Sequence, residues 1–223
     1  MVEGVKIDQL KGSNKPELVK LFTQTFREFP FIPIHRFIPE SKPESEEALL
    51  KLGETWLKIS VDFCMSMKSC WAYGIRKEDR LVSAFLSMDS TEKLSSMRPM
   101  QSITLLIMFN IYLFRLARVV GRRTARDIGS FLQRAFYKEK PKYEDRYIEL
   151  VLLGTLPAYQ RQGFGREMLH ILYNKAKREK FRGVTLVVNR DTPAFGLYLR
   201  EGFIVDKEFT LGDVTACWMR LVF

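Results

Sequence analysis

Cysteine and histidine are scarce in this chain, and their scarcity excludes several classes of protein. Among 223 residues there are three cysteines and two histidines, His35 and His170. An odd and small number of cysteines is not the framework of a disulfide-rich secreted domain and favours thiols in a reducing compartment. No cysteine or histidine has partners at the spacing of a metal site. We therefore expect no metal and a cytoplasmic location.

Long apolar runs are also lacking, with one exception. The chain opens with MVEGVKIDQL, where no basic segment precedes an apolar core, so we expect no secretory signal. The exception is residues 102–120, SITLLIMFNIYLFRLARVV, which reach the minimum length of a membrane span. Asn110, Arg115 and Arg118 interrupt this run, and a charge near the centre of a span costs about 3 kcal/mol. We expect a helix packed on the domain and no membrane span.

Internal repeats and low-complexity linkers are absent, whereas positive charge is in excess. The length suits one domain that buries about 70% of its unfolded surface. Lys and Arg number 36 against 26 Asp and Glu, for a net charge of +10. Residues 111–146 hold ten of these cations and four acids. Three interpretations are open: this segment attracts a polyanionic cofactor, it contacts nucleic acid or an anionic membrane, or it is a solvated helix face. No nucleic-acid-binding motif accompanies these cations, so we expect no nucleic-acid partner.

The pattern of apolar residues predicts an α/β protein with a mixed sheet. Asn14 and Glu17 are typical of a capping box that starts a first helix. A second helix is predicted from Glu46, with an inward stripe of Leu49, Leu52, Trp56, Ile59 and Phe63. Residues 91–140 are helical in pattern and precede the central strand. We interpret them either as a lid or wall of the acceptor site or as a stabilising helical subdomain without substrate contact. Strands are predicted at 5–7, 71–75, 81–88, 147–153, 184–188, 204–208 and 216–222.

The most informative motif follows the predicted strand at 147–153. Residues 160–166 read QRQGFGR and open an amphipathic helix whose apolar face is Met168, Leu169, Leu172 and Ala176. The first N–H groups of a helix lack intrahelical partners, and the helix dipole favours an anion beside them. A diphosphate is the natural ligand of such a cradle, although a glycine turn between strand and helix is also a common chain reversal.

The chain after residue 180 adds a second buried strand and the segment DTPAFGLYLREGF at 191–203. Together with QRQGFGR, this half resembles the GNAT superfamily of acetyl-CoA-dependent N-acyltransferases, which runs strand, Q/R-x-x-G-x-G/A, helix, strand, N-x-x-A-x-x-L-Y-x-x-x-G-F. Asp191 stands where the family usually has Asn. The layout looks most like puromycin N-acetyltransferase and its relatives. The resemblance implies one GNAT domain over 1–223, with a twisted mixed sheet, splayed central strands, helices on both faces and an insertion at about 91–140.

The resemblance also implies acetyl-CoA as co-substrate and gives its contacts residue by residue. The central strand is expected to splay near Leu153 and Gly154, where Leu153 N–H would polarise the thioester carbonyl and Thr155 would hold the pantetheine arm. Asn189 is a further implied contact of the cofactor. The diphosphate would lie on the backbone N–H groups of Arg161, Gln162, Gly163, Phe164, Gly165 and Arg166, where the two arginines add charge.

Two residues are implied in catalysis, each with an alternative. Tyr198 is implied as a contact of the cofactor and as the residue that protonates the leaving thiolate; the alternative is a helix tyrosine that packs on the cofactor or the core. Glu149 would be the general base, or it is an outward or salt-bridged acid. The acceptor is expected to be a small primary amine that attacks directly in a ternary complex, and the protein a monomer or homodimer. A protein N-terminus or lysine is the alternative acceptor; a non-catalytic acyl-CoA sensor and a basic membrane-surface protein are alternatives of another class.

Overall fold

The computed structural model describes residues 5–26, 44–91, 99–121, 126, 140–211 and 214–223. Every predicted strand is present, and the sheet confirms the α/β prediction. His35 and much of the predicted insertion (92–98, 122–125 and 127–139) lie outside the described residues. The elements are β1 (Val5–Gln9), α1 (Lys15–Thr25), α2 (Glu44–Ser66), β2 (Trp71–Lys77), β3 (Arg80–Asp89), α3 (Pro99–Val120), β4 (Tyr147–Thr155), α4 (Phe164–Arg178), β5 (Gly183–Asn189), α5 (Pro193–Arg200), β6 (Ile204–Leu211) and β7 (Val214–Val222).

Seven strands form one sheet in the order β1-β2-β3-β4-β5-β7-β6. The central neighbours β4 and β5 run parallel, and every other neighbouring pair is antiparallel. A parallel pair needs a crossover, and α4 supplies it between β4 and β5. The turn into α4, which carries the glycine motif, therefore lies beside the end of β4.

Two apolar cores cover the two faces of the sheet. On one face, α4 packs Met168 and Leu172 against Ile148 and Leu150 of β4. The predicted apolar face of α4 is confirmed, since all four of its predicted side chains are fully buried. The opposite core is built by α1 and α2 with the other side of the sheet; it includes Leu18, Phe22, Leu57 and Val61. Each fully buried side chain of this size contributes about 1.5–3 kcal/mol.

Helix α2 buries a different stripe from the predicted one. Leu57, Val61 and Cys64 pack into the core under the sheet. Trp56 instead lies 5.5 Å, ring to ring, from Tyr112 of α3. The helix thus packs on two neighbours, so its apolar residues occupy more than one stripe. Of the predicted stripe, Ile59 is buried and Phe63 half-buried, while the side chains of Leu49 and Leu52 lie outside the description.

The start of α1 also differs from the predicted capping box. The helix begins at Lys15, but the side chain of Asn14 accepts its hydrogen bond from Lys11 N–H (2.9 Å). The carboxylate of Glu17 accepts two hydrogen bonds from Arg76 of β2, at 2.6 and 2.5 Å. These charge-assisted bonds lower the pKa of Glu17 below its ordinary value. A tertiary ion pair has taken the place of the local cap.

Helix α3 contains the apolar run noted in the sequence. It is 22 residues long, and Tyr112 and Leu116 are fully buried. None of the helices in the described ranges is long and apolar enough to cross a membrane.

Candidate active site

The parallel strands β4 and β5 pair along only half of their length. They pair only from Tyr147–Leu150 with Gly183–Leu186, after which β4 continues against β3 and β5 against β7. In β4, Leu150 pairs with Ser87 and Leu152 with Leu86, so Val151 is an extra residue that forms a bulge. The result is a V-shaped gap that opens at Val151, slightly before the predicted splay at Leu153 and Gly154.

The backbone of β4 is oriented so that two residues face this gap. Leu156 N–H donates to Val82 O of β3 at 2.9 Å. Because backbone groups alternate along a strand, Gly154 also points to β3, whereas Leu153 and Thr155 point away from it into the gap. The N–H and C=O of Leu153 and the N–H of Thr155 therefore face a ligand that would lie along β4, whereas Thr155 O accepts a hydrogen bond from the side chain of Gln160.

Gly154 has a packing reason to be glycine. A Cβ at this position would lie 2.9 Å from Cδ1 of Phe22 and 3.2 Å from Cγ2 of Thr25, both in α1. The absent side chain lets α1 approach the strand that borders the gap. Gly154 thus lies in the predicted region, but its backbone N–H and C=O point toward β3, and a side chain at this position would point toward α1.

The loop after β4 is folded back on itself by two glutamine side chains. A short 3-10 turn spans Pro157–Tyr159. Gln160 then donates from Nε2 to Thr155 O (3.1 Å), and Gln162 donates to Ala158 O (2.9 Å). Arg161 and Gly163 both have positive φ, at 59° and 88°. A Cβ on Gly163 would meet nothing within 4 Å, so the backbone angle, rather than lack of space, requires glycine there.

The first turn of α4 meets the end of β4 and the helix α5. Phe164, Gly165 and Arg166 contribute the first N–H groups of α4, which have no intrahelical partners. A Cβ on Gly165 would lie 3.5 Å from Cδ2 of Leu197 and 4.0 Å from Oγ1 of Thr155. The glycine cradle, the threonine hydroxyl and α5 are therefore brought together at the mouth of the gap.

Ser83 is a residue of this site that the sequence did not reveal. Its Oγ donates to Gly154 O (3.1 Å) and shares a 2.8 Å hydrogen bond with Oγ1 of Thr155. Ser83 is fully buried in β3, so it fixes the Thr155 hydroxyl beside the cradle. The available signal was a serine inside the mostly apolar run Leu81–Leu86.

The two predicted cations of the cradle differ in their surroundings: Arg161 is exposed, whereas Arg166 forms an ion pair with Glu201. Arg166 pairs from Nε with Oε1 of Glu201 at 2.9 Å, and His170 Nε2 lies 3.2 Å from the other carboxylate oxygen. The Glu201 side chain is only 7% exposed. Arg166 is thus held at the start of α4 by the residue that follows α5, and part of its charge is compensated there.

Tyr198 lies inside the α4-side core. It is 7% exposed, and its ring centroid lies 5.4 Å from that of Phe203. Burial raises the pKa of its phenol well above the ordinary value, so the hydroxyl stays protonated at neutral pH. The packing alternative is satisfied, and the role as a proton donor stays a prediction.

Asn189 builds the turn between β5 and α5. Its Oδ1 accepts a hydrogen bond from Asp191 N–H (3.0 Å), and its carbonyl accepts one from Oγ1 of Thr192 (2.7 Å). The side-chain oxygen is engaged in this turn, so the asparagine shapes the start of α5 beside the gap, and its contact with the cofactor stays a prediction.

Glu149 is buried and salt-bridged. Because Ile148 and Leu150 face α4, Glu149 faces α2, and its side chain is 8% exposed. Lys140 Nζ contacts its Oε2, and this ammonium lies 5.6 Å from the ring centroid of Trp218. The structure therefore shows the salt-bridged alternative, and the role of Glu149 as a general base stays a prediction. Nothing in the sequence pattern had singled out Lys140 or Trp218.

Outside the gap, the described residues offer one basic hollow and no candidate metal site. A shallow hollow lined by Arg146, Lys180 and Arg182 opens at the start of β4 and β5, the end opposite the cradle. No cluster of three or more His, Cys, Asp or Glu in the part of the chain that the structure covers could hold a metal ion.

Comparisons with known proteins agree with this arrangement. Residues 118–203, which include β4 through α5, match the model of the acetyltransferase (GNAT) family. No curated protein matches the sequence. The PaiA N-acetyltransferase of Thermoplasma acidophilum, in complex with coenzyme A, is 13% identical over 98% of this chain and 99% of that chain, with a TM-score of 0.54.

Two further solved structures have the same fold. A GCN5-related N-acetyltransferase from Kribbella flavida is 12% identical over 99% of each chain, with a TM-score of 0.56. The ribosomal-protein alanine N-acetyltransferase of Escherichia coli is 13% identical over 98% of this chain and 93% of that chain, with a TM-score of 0.51. Such low identities speak for the fold, and the family match covers the gap and the cradle. Residues 118–203 therefore form a GNAT acetyltransferase domain by their family match, and the described residues have the fold of the GNAT acetyltransferases.

Proposed function

We propose that the protein transfers an acetyl group from acetyl-CoA to a primary amine of a small molecule, by direct attack of the amine. The observation that carries the proposal is the gap between β4 and β5 beyond Leu150, with the backbone of Leu153 and Thr155 turned into it beside the first turn of α4. This combination offers an unpaired strand edge and an anion cradle within one site.

Acetyl-CoA fits the residues present in three ways. The amides of its pantetheine arm can pair with the open edge of β4 as an added strand would. Its diphosphate can accept hydrogen bonds from the N–H groups of Phe164, Gly165 and Arg166, where the helix dipole favours negative charge. Arg161 adds a cation to the same loop, and Gly165 leaves room for the backbone to approach the phosphates.

The proposed chemistry uses three groups of the chain. Leu153 N–H donates to the thioester oxygen, and this hydrogen bond strengthens as the amine attacks and the oxygen gains charge. Tyr198, which burial keeps protonated, donates a proton to the departing sulfur. Glu149 accepts the proton of the amine after Lys140 withdraws from its carboxylate.

A small acceptor is favoured over a polycation by the charge of the protein. The net charge of +10 opposes long-range attraction of a basic peptide. Likeness of the sequence layout to the puromycin N-acetyltransferase group supports the same choice. Acetylation of a protein N-terminus or lysine is the alternative. A single domain over 1–223 and a cytoplasmic location belong to the same proposal.

The test combines binding with turnover. Calorimetric titration with acetyl-CoA is expected to give micromolar affinity, and a Gly163→Glu protein, which places an acid in the cradle, is expected to bind far more weakly. Release of coenzyme A thiol is then followed with a panel of small aliphatic and aromatic amines and with lysine and N-terminal peptides. Turnover with peptides alone would move the assignment to protein acetylation. Binding without turnover on any amine would indicate an acyl-CoA sensor.

A further inference from the structure

The environment of the Lys140 ammonium resembles that of a bound acceptor amine. Its Nζ contacts the carboxylate of Glu149, and it lies 5.6 Å from the ring centroid of Trp218. Lys140 is 25% exposed at its side chain and Glu149 only 8%. A carboxylate combined with an aromatic face is the combination that recognises an alkylammonium ion.

This ammonium lies beside the closed end of the gap. Glu149 precedes the bulged residue Val151 by two positions and Leu153 by four, on the same strand. Its carboxylate is the group that the proposed function assigns to the proton of the acceptor. A lysine bound to that carboxylate therefore contacts the group that would deprotonate the acceptor. Leu153 lies about 13 Å farther along the strand, so the flexible stem of Lys140 must carry the ammonium toward the acetyl group.

A second observation on the same face points to a polar group at this place. Thr185 is the direct neighbour of Glu149 across the β4–β5 pair, so the two side chains share a face of the sheet. It is fully buried, and its hydroxyl has no hydrogen-bond partner within the described residues. Buried hydroxyls are nearly always paired, and an acetamide on the neighbouring lysine would bring a carbonyl that can accept this bond.

We infer that Lys140 is a self-acetylation site: the protein transfers an acetyl group from acetyl-CoA to its own Lys140 Nζ. The inference rests on the proposed function. Glu149 takes one proton from the ammonium, and the amine nitrogen forms a bond to the acetyl carbon. The carbon–sulfur bond breaks, and its electron pair leaves on sulfur, which is protonated to the thiol. The products are Nε-acetyl-Lys140, coenzyme A and one proton released to solvent.

The modification changes the site that performs it. An acetylated Lys140 carries no charge, so it no longer forms an ion pair with Glu149. The carboxylate is then available to an external amine. Because donor and acceptor belong to the same molecule, the reaction is first-order in protein.

Lys175 is a matched control within the chain. Its side chain is also 25% exposed, it pairs with Glu179 at 2.9 Å, and its Nζ lies 5.2 Å from the ring centroid of Trp71. It differs from Lys140 in position, because it belongs to the last turn of α4 on the other face of the sheet. Uncatalysed acetylation by acetyl-CoA is expected to treat the two lysines alike.

The experiment follows both lysines by peptide mass spectrometry with deuterium-labelled acetyl-CoA, after a lysine deacetylase has removed any acetyl group already present. Lys140 is expected to gain label at least about tenfold faster than Lys175, the gain from positioning and a general base. Its rate should not change on tenfold dilution of the protein. Glu149→Gln should slow labelling of Lys140 and leave Lys175 unchanged. Lys140→Arg, which keeps the charge, should remove only the label at that position.

Equal labelling rates for the two lysines, or a rate at Lys140 that falls in proportion to protein concentration, would overturn self-acetylation. A calorimetric titration of the same sample distinguishes failure of this inference from failure of the proposed function. Binding of acetyl-CoA without preferential labelling of Lys140 refutes this inference alone, and absence of binding refutes the proposed function together with it.

Discussion

Replacing Gly165 by Asp and by Asn separates cofactor binding from folding, because the two effects have opposite signs. The position accepts a side chain: a Cβ would make only ordinary contacts with Leu197 and Thr155. Either residue is a slightly better helix former than glycine. The charge of Asp, in the first turn of α4, should stabilise the fold by about 0.3–1 kcal/mol relative to Asn. The same charge faces the anion that the cradle is proposed to bind.

The expected loss of affinity follows from the position of this charge. A carboxylate about 6 Å from a diphosphate of charge −2 repels it by about 2.8 kcal/mol at an effective dielectric of about 40. Salt at about 0.15 M, with a Debye length near 8 Å, reduces this by about half. Gly165→Asp should therefore bind acetyl-CoA about tenfold more weakly than Gly165→Asn.

Calorimetry and thermal unfolding of the two variants check both halves of this prediction. The Asp variant should have the higher melting temperature and the weaker affinity, and the difference in affinity should shrink in high salt. Equal dissociation constants for the two variants would show that no diphosphate lies at this helix terminus. A lower melting temperature for Asp would show that the first turn of α4 is not where the charge acts.

Three further predictions follow from other contacts. Tyr198→Phe should keep acetyl-CoA affinity but lower kcat by at least about tenfold, which steady-state and binding assays test; unchanged kcat would remove the proton-donor role. Gly154→Ala should destabilise the protein by about 1–3 kcal/mol, because the new Cβ would approach Cδ1 of Phe22 within 2.9 Å. Denaturant unfolding should find less than additive destabilisation when Phe22→Leu is combined with it, and strict additivity would contradict the contact. The hydrogen bonds of Arg76 lower the pKa of Glu17 on folding, so this pair stabilises the protein above the ordinary value of 4.5 and loses its effect as pH falls through the folded value. The melting temperatures of wild type and Glu17→Gln should therefore converge in acid, and a difference that persists at low pH would contradict the assignment.

The cradle could be predicted from the sequence because its causes are local. The left-handed angle of Gly163, the first turn of α4 and the apolar face of that helix all lie within 14 consecutive residues, from Gly163 to Ala176. The gap was predictable only through resemblance, since no local pattern reveals where β4 and β5 cease to pair. The observed bulge at Val151 depends on the register with β3.

Contacts between distant elements account for what the sequence did not predict. Glu17 would cap its own helix in isolation, but Arg76 is 59 residues away and offers a stronger partner. Glu201 binds Arg166 across 35 residues for the same reason. The stripe on α2 was predicted for a helix with one buried face, whereas α2 has the sheet on one side and α3 on another. Periodicity cannot show how many neighbours a helix has.

Because the β4–β5 pairing is short, the sheet consists of two parts. Four residue pairs join them, whereas every other neighbouring pair of strands shares five to seven. One part carries β1 to β4 and the other β5, β7 and β6, so the seam between them is the weakest line across the sheet. A cofactor that lies along β4 would occupy the place where the seam ends. The acetyl donor would then act as a missing length of strand, and the enzyme would have its most continuous sheet only while it holds its substrate.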